Sequence, residues 1–203
     1  FRRVLFRSVA DARGPGRPPD DRADGEAGGG DAEPQGEEFP AFTQFWVTKP
    51  EPKSEDLTVD ALLDSPSVTG AYHFVIHPGV ETTVDVDAML FARTPLRALG
   101  VAPLTSMFLY DETNRMRRDD YRPEMHNSDG LQIISASGEP IWRPLANPTK
   151  LQISAFTTEP PKGFGLMQRS REPADYQDLY NQYERRPSAW VEPKSDWGPG
   201  AVQ

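Results

Sequence analysis

The chain has 203 residues, enough for one domain, with 36% hydrophobic and 26% charged residues, no cysteine and a formal net charge of -9. The acidic balance argues against a nucleic-acid partner, because phosphate binding needs clustered Lys and Arg, and favours a neutral or cationic ligand. The absence of Cys excludes disulfides and thiolate chemistry without fixing a compartment. No run approaches 18 apolar residues, so nothing in the sequence reads as a membrane-spanning helix.

Residues 1–38 look foreign to a packed domain. The opening Phe1 to Ser8 lacks the apolar core and cleavage site of a signal peptide, and Leu5-Phe6-Arg7-Ser8 resembles one frame of a sequencing adapter. Residues 10–36 are rich in Gly, Pro, Asp, Arg and Ala and carry no aromatic side chain. Such a segment cannot bury enough apolar surface to offset its ordering entropy. Disorder is expected over 1–38, as an artefact or as a linker, and few contacts with the remainder.

From Phe39 the composition changes. Phe39, Phe42, Phe45, Trp46 and Val47 open the packed part, with Trp46 and Trp190 read as core anchors. Strands are expected over 57–63 and 70–77, the latter alternating Tyr72, Phe74, Ile76 with Ala71, His73, Val75. Over 83–91, Val84, Val86, Ala88 and Leu90 mark one face and Asp85, Asp87 and Met89 the other, which reads as a solvated face rather than an acid/base couple. Further strands fit 104–110, 131–135, 141–143, 151–156 and 164–168, with a hairpin at Ser137-Gly138. One short amphipathic helix is expected, with Asp175 as N-cap and Tyr176, Leu179, Tyr180 and Tyr183 on one face, stopped by Pro187. Many short strands and one helix predict an all-β sandwich or barrel.

The chemistry concentrates between the strands ending at Tyr110 and starting at Leu131. There Tyr121-Arg122-Pro123-Glu124-Met125-His126-Asn127-Ser128-Asp129-Gly130 sets polar groups between rigid apolar runs. Two readings stand: a polar-ligand site at the sheet rim, or a solvated loop whose Asn, Ser and Asp bond their own backbone. The three His have no metal-ligand spacing, so no metal or other cofactor is assigned. Trp and Tyr among Arg122, Asp129, Arg143, Gln168 and Arg169 are the parts of a sugar site, in which rings stack on C–H faces and polar groups bond hydroxyls.

Six segments carry a specific resemblance: Gly36 to Pro40, Ala61 to Pro66, Gly100 to Phe108, Trp142-Arg143-Pro144-Leu145, Gly163 to Arg169, and Arg186-Pro187-Ser188-Ala189-Trp190-Val191. In this order they resemble the osmoregulated periplasmic glucan biosynthesis proteins, G and D paralogues, over residues 33–203. The resemblance implies a periplasmic protein with a large β-sandwich of the galactose-mutarotase-like carbohydrate kind. Residues 39–203 would be the later part of that domain, without the family's immunoglobulin-like C-terminal domain. It also implies action on the β-1,2-glucan backbone, in contact with the glucan-synthesis machinery, by an inverting endo-β-1,2-glucanase. One carboxylic acid would protonate the leaving oxygen and a carboxylate would activate water.

The carry-over meets two departures. The family's acid lies downstream of the Trp197-Gly198 block, past Gln203, and its base, an Asp after His, is replaced in His126-Asn127-Ser128. An amide does not take up a proton near neutral pH. Asn127 therefore marks the base position, Asp129 is a possible substitute, and Tyr121, Arg122, Glu124, His126, Trp142, Arg143, Gln168 and Arg169 are the candidate substrate-binding residues. A fragment of this kind is expected to be inactive alone. A non-catalytic glucan-binding or scaffold module is the alternative.

Overall fold

A computed structural model describes residues 2–11, 38–96, 99–115, 119–158 and 160–203. The fold is an all-β sandwich. Its main layer is a nine-stranded antiparallel sheet, in spatial order β2 (Ala41–Thr48), β3 (Leu57–Asp64), β4 (Val68–His77), β5 (Glu81–Ala92), β1 (Arg2–Asp11), β12 (Ala189–Pro193), β11 (Gly163–Met167), β8 (Gly130–Ile134) and β9 (Pro140–Pro144). Two small pairs complete it: β6 (Phe108–Tyr110) with β7 (Met125–His126), and β10 (Phe156–Thr158) with β13 (Gly200–Val202).

Register explains which face is buried, since residues directly opposite one another in an antiparallel pair share a face. Leu63 opposes Gly70 and Gly70 opposes Leu90, while Ala61, Tyr72 and Ala88 form the next row. Ala61, Leu63, Val86, Ala88 and Leu90 are all buried. The row continues into aromatic packing, with Phe42 edge-on to Tyr72 at 5.1 Å and Tyr72 stacked on Phe74 at 5.7 Å. Ile133 and Val191 bury the same face at the other end of the sheet. The opposite face carries Asp60, His73, Asp85 and Asp87, in keeping with the solvated face expected over 83–91.

Several expectations are corrected. Arg2–Asp11 is a strand paired to β5 along its length and to β12 over five positions, where few or no contacts were expected of residues 1 to about 35. Flanking strands that each offer a backbone edge reward any extended segment lying between them, whatever its side chains. The expectation for residues 12–37 falls outside the described residues. Trp46 is 50% exposed rather than a core anchor, because β2 is an edge strand and Trp46 opposes Asp60 on the polar face. The strands expected over 104–110 and 151–156 shrink to β6 and β10, whose pairing partners are only two or three residues long.

The helix is shorter than the apolar spacing predicts. The helix α1 spans Pro173–Tyr176 with Glu172, not Asp175, as N-cap, and it ends where Gln177 takes a left-handed φ of 51°. A separate 3₁₀ turn follows at Tyr183–Arg185, after Gln182 at φ 50°. Tyr176 and Tyr183 are buried, but Leu179 is 94% exposed, so the four apolar positions do not share one face.

Candidate functional site

The polar stretch changes partner midway, and that hand-over builds the site. His126 pairs with Phe108 in β6, and the Asn127 N–H still donates to the Met107 carbonyl at 2.8 Å. Two residues on, the Asp129 N–H donates to the Met167 carbonyl at 2.9 Å while its own carbonyl accepts from Leu145 N–H at 2.8 Å, so the chain has joined the main sheet. Asn127 and Ser128 lie at the crossing. With Leu104, Thr105, Leu166, Arg186, Pro187 and Ala189 they line a cavity of about 220 Å³.

Beside this cavity the structure gathers a buried polar cluster. His126 is fully buried, stacked on Phe108 at 5.4 Å and edge-on to Tyr176 at 5.3 Å. Its Nε2 shares a 2.9 Å hydrogen bond with Glu124 Oε2, and Glu124 is itself buried. Asp129 Oδ2 accepts the Arg169 N–H at 2.6 Å. Gln168, buried, donates through Nε2 to the Tyr183 carbonyl and to the Tyr176 hydroxyl, which donates to the Ser170 carbonyl at 3.1 Å. Ser170 Oγ in turn donates to Asp175.

The electrostatics follow from that crowding. Burial pushes the Glu124 carboxyl up; the His126 bond opposes the shift, while Asp175 and Asp129 add to it. Burial also raises Tyr176, with the charge of Asp129 next in effect. Glu124, His126 and Asp129 offer ligand atoms all within 4.8 Å of one another, the composition of a small cation site. Two of these groups already bond each other and the third is held by a backbone N–H, so the arrangement serves equally to share a proton. Among the described residues, His126 Nδ1, Asn127 Oδ1, Gln168 Oε1, Ser106 Oγ and Arg186 Nε are buried without a hydrogen-bond partner. Such orphaned groups are uncommon in folded proteins and concentrate here at one end of the sheet.

Not all ten sequence candidates meet. Glu124, His126, Asp129 and Gln168 converge, with Asn127 in the adjoining cavity and Arg169 contributing its backbone. Arg122 is committed elsewhere: its guanidinium bonds both carboxylate oxygens of Asp120, at 2.9 and 2.6 Å, and Asp178 at 2.7 Å. Tyr121 is 75% exposed at the edge of a separate open hollow of about 610 Å³ with Pro173, Gln177, Leu179 and Tyr180. Trp142 and Arg143 are consecutive in β9 and therefore face opposite ways. Arg143 opposes Leu131 and lies 5.2 Å from the Phe156 ring, whereas Trp142 opposes Gln132 on the other face. Sequence reasoning missed Thr105, Ser128 and Arg186 as cavity residues, although Thr105 and Arg186 lie in segments that carried the resemblance and Ser128 in the polar stretch itself. Tyr176 and Asp175 were assigned only to a helix.

The structure defines an all-β sandwich with a cavity and a buried polar cluster at one rim. Comparison assigns its family: residues 30–203 match the model of the family described as periplasmic glucan biosynthesis protein, MdoG, and the chain belongs to that family. It is 57% identical over 171 residues to glucans biosynthesis protein G of Vibrio cholerae and to glucans biosynthesis protein G 1 of Shewanella oneidensis. A Shewanella sp. (strain ANA-3) protein G is 56% identical over the same length. Each comparison covers 84% of this chain and 31% of the relative, so the chain spans about a third of the length of these relatives. Among the described residues, no helix is long and apolar enough to cross a membrane.

Proposed function

We propose that the whole protein works in the periplasm on the β-1,2-linked glucose backbone of osmoregulated periplasmic glucans, as a slow inverting glycoside hydrolase in which Asn127 stands at the base position. The observation that carries this reading is the placement of Asn127. Asn127 lines the cavity with Thr105, Ser128 and Arg186, residues whose polar groups suit sugar hydroxyls, next to the buried Glu124–His126 pair and Asp129. An amide keeps the size and much of the hydrogen bonding of a carboxylate but does not hold water's proton. Sugar binding is therefore retained while water activation weakens, by about 10² to 10⁴ in rate.

Reducing-sugar release from linear β-1,2-glucan by the whole protein and its Asn127→Asp and Asp129→Asn variants tests the assignment. A slow wild type that gains at least about 10²-fold on Asn127→Asp is expected. A fast wild type indifferent to Asn127→Asp, and silenced by Asp129→Asn, overturns it. One observation favours a second reading, a non-catalytic glucan-binding module: Asp129, the nearest substitute base, is tied to the Arg169 N–H at 2.6 Å. Glucan binding without product from either wild type or Asn127→Asp selects that reading.

A further inference from the structure

The face of the sheet away from the cavity holds two tryptophans in a shared row. Trp190 of β12 opposes Gly165 of β11, Gly165 opposes Gln132 of β8, and Gln132 opposes Trp142 of β9. Directly opposed residues share a face, so these four side-chain positions lie in line over about 14 Å, three strand spacings. Glycine under each ring makes the surface flat. A methyl group built on Gly130 would lie 2.5 Å from Trp142 Cζ2, one on Gly163 2.5 Å from Trp190 Cζ2, and one on Gly165 2.8 Å from Trp190 Cε3. Both indoles thus rest against glycine backbone, in space that any larger residue would take.

The rings are not sealed in. Trp142 is 37% exposed and Trp190 is partly exposed. Polar groups accompany them: the half-buried Gln132 amide between the rings, and Glu192, two residues along β12 on the same face, which accepts from Trp190 Nε1 at 3.1 Å. Flat indoles bedded on backbone, with an amide and a carboxylate beside them, suit the apolar C–H faces and the hydroxyls of a pyranose chain. A net charge of -9 disfavours an anionic polymer but not a neutral polyol.

We infer that Trp142 and Trp190, with Gln132 between them, form a second glucan-binding surface on which consecutive glucose units stack, separate from the cavity at Asn127. The choice of glucan as occupant rests on the function proposed above. The surface gives the protein a hold on a long chain that does not depend on the reacting linkage.

Calorimetric titration of the whole protein with long linear β-1,2-glucan tests it, alongside β-1,3- and β-1,4-linked glucans. Trp142→Ala and Trp190→Ala should each weaken binding about five- to tenfold and the double variant more, with Trp142→Phe restoring most of the loss. Where an alanine variant fails to fold, the indole N–H resonances of wild-type Trp142 and Trp190 replace it, and both should shift on titration. Unchanged affinity in folded double variants, or unmoved indole signals while glucan binds, overturns the inference but leaves the proposed function standing. Trp-dependent binding of a β-1,3- or β-1,4-glucan, with none of β-1,2-glucan, upholds the surface and refutes the proposed substrate. Binding of no glucan refutes both.

Discussion

The strands β2–β5 and the strands β8, β9, β11 and β12 belong to one sheet, yet they are held in different ways. The first group is a meander with long registers and an alternating apolar face, Ala61, Leu63, Val86, Ala88 and Leu90, whose burial is its main source of stability. Its charged pairs lie at the surface. The second group has short strands, and the elements that cover it are tied by buried or partly buried charged and polar contacts: Glu124 with His126, Arg122 with Asp178, and Gln168 with Tyr176 and Tyr183. Apolar burial tolerates substitution in proportion to lost volume, whereas a buried polar group that loses its partner keeps its full desolvation cost. The end of the sheet that carries the candidate site is therefore the one most sensitive to single polar changes.

The largest expected effect lies at Arg122. Its guanidinium is the cationic partner of Asp178, whose side chain is 5% exposed and which also accepts from Asn181 and the Tyr180 N–H. Those hydrogen bonds and Arg122 together hold Asp178 below the usual carboxylate range although burial alone would raise it. Arg122→Ala strands that charge and should cost about 3 kcal/mol in urea unfolding, the low end for a broken buried pair because Arg122 keeps some exposure. A cost below about 1 kcal/mol would mean that water reaches Asp178 and that the contrast between the two ends is overstated.

Arg122 also shows what could be read from the sequence and what could not. It looked like a sugar ligand because its nearest neighbours in the chain are polar; its decisive partner is 56 residues away. In the meander β3, β4 and β5 were legible to within two residues at each end, since period-two alternation acts locally, whereas the edge strand β2 was read only as an apolar run. Glu124, His126 and Asp129 were legible as a group because they fall within six residues of each other. Tyr176 and Asp175 join them only through tertiary folding, and the aligned row of Trp190, Gly165, Gln132 and Trp142 exists only once the register of four strands is known. Trp46 misled for the opposite reason, because ring size signals burial while an edge position exposes it.

A smaller effect, with a definite sign in pH, is expected at Glu124. Burial raises its carboxyl above the ordinary value in the folded state, so folding favours the protonated form. That contribution is fully present below the unfolded carboxyl's value, about 4.3, and is lost as pH rises through the raised folded value. Glu124→Gln keeps the shape and removes the titration, so its stability relative to wild type should improve as pH rises from about 4 to 7. Urea midpoints across that range check the slope. A difference that is flat, or that moves toward wild type, would show that the His126 bond outweighs desolvation.

The smallest effect is expected in the meander, at Asp60. Its Oδ1 lies 2.7 Å from His73 Nδ1, a shorter contact than the Glu124–His126 bond, and distance alone would rank it the stronger of the two. Exposure reverses that order: the His73 and Asp60 side chains are 51% and 49% exposed, against 0% and 9% for His126 and Glu124. Water and salt screen the exposed pair, and a released partner is simply rehydrated. Asp60→Asn should therefore change stability by less than about 0.5 kcal/mol at neutral pH, with little further change when salt is added. Asp60 directly opposes His73, so no backbone rearrangement is needed to lose the contact, and the substitution isolates the pair itself. A cost comparable to that of Arg122→Ala would show that the polar face around Asp60 is shielded from solvent, and the division of the sheet into an apolar-held and a polar-held end would fail with it.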